Sequence, residues 1–72
     1  MSDVQSTTPL ETINAPWNKQ IEIQDIVYEG GLPALRIRIR EGKRFTILDL
    51  DRDTAEHLGK SISNWVNAQD GD

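Results

Sequence analysis

From Ala34 to Arg40 apolar and basic side chains alternate, Leu35, Ile37 and Ile39 against Arg36, Arg38 and Arg40. Beyond Glu41-Gly42 the alternation resumes, with Phe45 and Ile47 against Arg44 and Thr46. A period of two places successive side chains on opposite faces of a strand. The pattern therefore predicts two strands and a tight turn. A type I turn closed by a glycine bulge at Gly42 sets Ile39 opposite Lys43, Ile37 opposite Phe45 and Leu35 opposite Ile47. One face then carries Leu35, Ile37, Ile39, Phe45 and Ile47. The other carries Arg36, Arg38, Arg40, Arg44 and Thr46, and ends in Leu48 and Leu50. A two-residue Glu-Gly loop mixes polar and apolar residues on both faces, so the bulged turn is the expected one.

An earlier strand is expected from about Gln20 to Tyr28, where Ile21 and Ile23 alternate with Glu22 and Gln24. Ile26 and Tyr28 have the other parity. Either a bulge near Gln24-Asp25 restores one buried face, or the strand buries one end on each side of the sheet. Glu29-Gly30-Gly31-Leu32-Pro33 reads as a turn. After Leu50 the period changes: Ala55, Leu58, Ile62, Trp65 and Val66 recur at helical spacing, predicting a helix from about Arg52 to Asn67. Asp53 with Glu56 has capping-box spacing, and Asp51 is the rival cap. Residues 1–15, polar with Pro9 and without periodicity, are expected to be a disordered tail, residues 16–67 the domain, and residues 68–72 a frayed acidic end.

The expected fold is α+β, a three-stranded antiparallel meander followed by one C-terminal helix packed on one sheet face. Such a domain is short for an independent core. With no cysteine and one histidine, His57, among 72 residues, neither disulfides nor a histidine- or thiolate-rich metal site supplements it. Leu48 and Leu50, set among arginines, leave an apolar surface that a second copy would cover. A homodimer using these two residues is the expectation.

The net charge of −4 is unevenly placed. Asp3, Glu11, Asp70 and Asp72 lie near the ends, while residues 17–67 hold eight basic and eight acidic side chains and are neutral. No apolar run approaches membrane-spanning length and nothing resembles a signal peptide, so a cytoplasmic protein without membrane contact is expected.

The candidate binding face is the arginine stripe, Arg36, Arg38, Arg40 and Arg44, with Trp17 and Tyr28 nearby. Guanidinium groups hold phosphates and aromatic rings stack bases, which makes single-stranded nucleic acid or another anion one possible ligand. The plainer reading is a solvated face whose arginines pair with Glu22, Glu41 and other acids across the strands. Phe45 and Trp65 read as core. Asp49, Asp51 and Asp53 have the spacing that opens a calcium loop, but Thr54 stands where that loop needs glycine and Lys60 where it needs glutamate, so no metal is expected. No nucleophile, acid–base pair or glycine-rich phosphate loop is present, so neither catalysis nor a cofactor is expected. Gly59, inside the helix, is either a tolerated surface glycine or a point of close packing.

The layout from Leu35 to Trp65, a basic antiparallel sheet running into a helix after an Asp cap, resembles that of the dimeric single-stranded-DNA-binding transcriptional coactivators. Those have one more strand and a far more basic sheet, so the resemblance is one of layout. The reading it leaves is a small non-catalytic binding or accessory domain acting through protein contacts and homodimerisation. Nucleic-acid binding and service as a small subunit or regulator of a larger enzyme complex are the alternatives.

Overall fold

The computed structural model describes residues 4–69. Strands β1 (Val4–Ala15), β2 (Lys19–Tyr28), β3 (Leu32–Glu41) and β4 (Arg44–Leu50) form one antiparallel sheet in chain order, and helix α1 (Arg52–Gln69) follows. The order of meander and then helix is as expected, with one strand more. Residues 4–15, expected as a disordered tail, are β1, and residues 68 and 69, expected to fray, belong to α1. The remaining tail residues, 1–3 and 70–72, lie outside the described residues.

The strand escaped the pattern because it is an edge strand. All of it but Ala15 is exposed, so no alternation marks a buried face. Its threonines suit a pleated surface, and Pro9 costs no ladder bond at an edge. The register against β2 slips between Pro9 and Glu11, leaving Leu10 as an extra residue, and again between Val4 and Ser6. The bulges lie here and not in β2, which pairs with β3 without interruption from Lys19↔Glu41 to Tyr28↔Leu32. Consequently β2 does present Ile21 and Ile23 on one face and Ile26 and Tyr28 on the other. Pro33 sits opposite Val27, beyond the first β3–β4 pair at Leu35↔Leu50, where β3 has no neighbour on its second side.

The β3–β4 turn corrects the expected register. Glu41 pairs with Arg44, so the loop is Gly42-Lys43 and contains no bulge. Gly42 has φ +59°, the sign a type II′ turn requires at its first central residue. Ile39 therefore opposes Thr46, Ile37 opposes Leu48 and Leu35 opposes Leu50. Leu48 and Leu50 join the apolar face. Phe45 and Ile47 move to the arginine face, opposite Arg40 and Arg38, and Arg44 leaves it.

Asp51 is the helix cap: its Oδ1 accepts from Thr54 N at 2.9 Å, and its carbonyl accepts from Ala55 N at 2.9 Å. That contact with Thr54 holds the Asp51 carboxyl below its ordinary pKa. Asp51→Ala is expected to fray the first turn and reduce ellipticity at 222 nm, while Asp51→Asn, an equally good cap, retains it.

The helix does not lie on the sheet, contrary to expectation. It touches only β3 and β4, and none of its residues is buried. One residue, Asp51, separates the end of β4 from the start of α1, so the helix leaves the sheet at the strand's end. Only Ile26 and Leu50 are buried apolar residues among those described. The chain exposes 5881 Å², against about 4,500 Å² for a compact protein of its mass. Its radius of gyration is 14.2 Å, where a compact chain of this length has about 11 Å.

Candidate interaction surfaces

Two apolar surfaces face outward. The first runs along α1, where Leu58, Ile62, Trp65 and Val66 fall on one side at three- and four-residue spacing. Ile62 is 55% exposed and Trp65 66%. Trp65 is thus not core in the single chain. Gly59 has nothing within 4 Å of the position a Cβ would take, so no close packing surrounds it here. The second surface is the sheet face bearing Ile13, Ile21, Ile23, Leu35, Ile37, Ile39, Leu48 and Leu50, placed together by the register of all four strands. Leu50 is covered by its own chain, near Leu35 and Ala55, so it is not an open contact residue. Leu48 is exposed and lies in the middle of this face's outer strand.

The opposite face holds the arginines, and carboxylates neutralise two of them. Arg36 donates to Asp49 through Nε at 2.7 Å and Nη2 at 2.9 Å, a bidentate pair. Tyr28 donates its hydroxyl to the same carboxylate. Arg36 holds the Asp49 carboxyl below its ordinary pKa, and Asp49 in turn raises the pKa values of Tyr28 and Arg36. This bridge runs from β2 to β4 beside buried Ile26. Arg38 donates to Glu22 at 2.9 Å, a cross-strand pair of the kind the plainer reading expects, and its guanidinium lies 3.9 Å from the Phe45 ring centre. Phe45, expected in the core, is instead a partly exposed platform for an arginine. Asp49 was legible as a strand residue; its partnership with Arg36 was not, because it depends on the register.

A lowered pKa means that the folded state favours the ionised Asp49. The bridge therefore contributes stability in full above the unfolded carboxylate value near 3.9 and loses it as pH falls through the lower folded value. The carboxylate is a quarter exposed, which keeps the contribution small. Arg36→Met is expected to raise the Asp49 titration midpoint, read by carboxyl-carbon NMR, back toward the ordinary value.

The remaining candidates separate. Tyr28 lies with Arg36 at one end of β2, whereas Trp17 lies beyond the other end, about 30 Å away along the strand. Arg40 makes only a 3.4 Å contact to the Gly42 carbonyl, and Arg44 forms no ion pair among the described residues. The three aspartates that suggested a metal loop have other uses: Asp49 binds Arg36, Asp51 caps the helix and Asp53 contacts Arg52. Among the described residues no group of three metal-ligating side chains comes together, and no helix is long and apolar enough to cross a membrane.

No curated protein and no solved structure matches the chain. One family model does, over residues 4–68, spanning all four strands and nearly all of the helix, β1 included. The chain belongs to that family, described as a family of unknown function, DUF6967.

Proposed function

We propose that the protein is a small non-catalytic binding module that folds as a homodimer, each copy's helix stripe and sheet face supplying the other's missing core. One observation carries this reading: the chain has two apolar surfaces, helix and sheet face, that its single-residue junction at Asp51 keeps apart. Its surplus of about 1,300 Å² over a compact monomer exceeds the roughly 800 Å² per partner of a standard interface and suits an obligate dimer. A second copy is the occupant that needs no further component, because it brings both surfaces at once and lets both pack reciprocally.

The alternative of nucleic acid running across the arginine face is less well supported, since Arg36 and Arg38 already have carboxylate partners. Docking on a larger enzyme remains compatible with the arginine face once the apolar surfaces are closed. Chemical cross-linking followed by mass analysis tests the arrangement. Links between Lys60 on α1 and Lys19 or Lys43 at the sheet end, formed between isotope-distinguished copies, are the expected result. Links confined to single copies would overturn it.

A further inference from the structure

The turn between β1 and β2 is Pro16-Trp17-Asn18, and it carries a conformation that its sequence makes costly. Trp17 has φ +62° and Asn18 φ +61°. Asparagine tolerates this left-handed region, but a bulky aromatic residue rarely enters it. Trp17 receives no packing in return, being 84% exposed. The Ala15↔Lys19 pair closes the hairpin and holds this backbone, but a turn needs no indole there, and an exposed ring at a costly position is available for a contact outside the chain.

The surroundings give the ligand's chemistry. Ala15 pairs with Lys19, Lys19 with Glu41 and Glu41 with Arg44, so the β1–β2 and β3–β4 turns stand at the same end of the sheet. Two strand spacings, about 10 Å, separate them. That end gathers Lys19, Arg40, Lys43 and Arg44 around a single acid, Glu41, which is engaged by Lys19 at 3.1 Å. Arg40, Lys43 and Arg44 have no carboxylate partner among the described residues. The acids Asp49, Asp51 and Asp53 lie at the opposite end, where α1 begins. An exposed ring beside three unneutralised cations suits a ligand that offers both a flat aromatic group and closely spaced phosphates.

We propose that this end of the sheet binds single-stranded nucleic acid, Trp17 stacking on a base while Arg40, Lys43 and Arg44 hold neighbouring phosphates. Arg40 stands at the turn end of the arginine face and Arg44 at the turn end of the apolar face, so the site wraps that end of the sheet, away from Leu48 and from the helix stripe assigned to dimerisation.

Fluorescence anisotropy of a labelled oligothymidylate, with the full-length protein at low salt, tests it. Binding is expected to weaken with salt with a log–log slope of about −2, for three phosphate contacts on a single strand. Trp17→Gly relieves the positive φ and so should fold at least as well, yet lose about fivefold or more in affinity. Combined Arg40→Gln, Lys43→Gln and Arg44→Gln should remove the salt dependence. Arg36→Gln, which removes an arginine that Asp49 already neutralises, should leave binding unchanged. Absence of oligonucleotide binding, equal binding to a duplex, affinity indifferent to Trp17→Gly, or binding only to anionic vesicles or acidic peptides would each overturn the proposal. The mass of Trp17→Gly in sedimentation should equal that of the wild type, which keeps this test separate from that of the dimer.

Discussion

Ile62→Asp is expected to break the protein into single chains and, at micromolar concentration, to remove its cooperative thermal transition. In one chain Ile62 is 55% exposed, so an aspartate there should be tolerated like other surface charges. In the proposed dimer it sits at the middle of the helix stripe, against an apolar surface of the other copy. A carboxylate buried there without a partner costs several kcal/mol. A chain that buries only Ile26 and Leu50 by itself has little to set against that loss. Asn64→Asp, exposed on the opposite side of the helix from the stripe, should change neither mass nor melting temperature. Sedimentation and calorimetry on the three proteins read the contrast, and an Ile62→Asp protein as stable as the wild type would show that the stripe is unpartnered.

Ile26→Ala is the second large effect. Ile26 is the one large side chain that is completely buried among the described residues. It lies on β2 opposite Ala34 and beside the Tyr28–Asp49–Arg36 bridge. Truncating a buried isoleucine to alanine costs about 2–5 kcal/mol, through lost transfer energy and the cavity left behind. That is much of the roughly 5 kcal/mol that a domain this small holds. The denaturation midpoint should fall steeply, and the bridge over the cavity should loosen with it. Ile47→Ala, on the same face but 53% exposed, should move the midpoint little. Equal effects at the two positions would mean that Ile26 is no more central than Ile47.

The sequence made some of this legible and hid the rest for physical reasons. β2, β3, β4 and α1 each bear a periodic pattern and lie close to where that pattern puts them. β1 bears none, because an edge strand exposed on both faces is under no demand to alternate. The hairpin register turned on one residue: reading Gly42 as the bulge, and not as the first residue of a II′ turn, sent Leu48 and Leu50 to the wrong face and Phe45 and Ile47 with them. A slip of one residue exchanges the faces of a whole strand. The helix's amphipathic stripe is legible in its spacing, but periodicity says only that a face wants cover, not which chain provides it. Of the candidate contact residues, Arg36 and Tyr28 meet through Asp49, Arg38 finds Glu22 as the plainer reading expects, and Trp17 stands apart at the other end of the sheet. Trp17's left-handed backbone left no mark in the sequence beyond its place between Pro16 and Asn18.

Sedimentation equilibrium across the micromolar range bears most directly on whether a second copy completes the core. A single species of about twice 8.2 kDa, whose melting temperature rises with protein concentration, is the expected result. A species of 8.2 kDa that unfolds cooperatively at a concentration-independent temperature would contradict it.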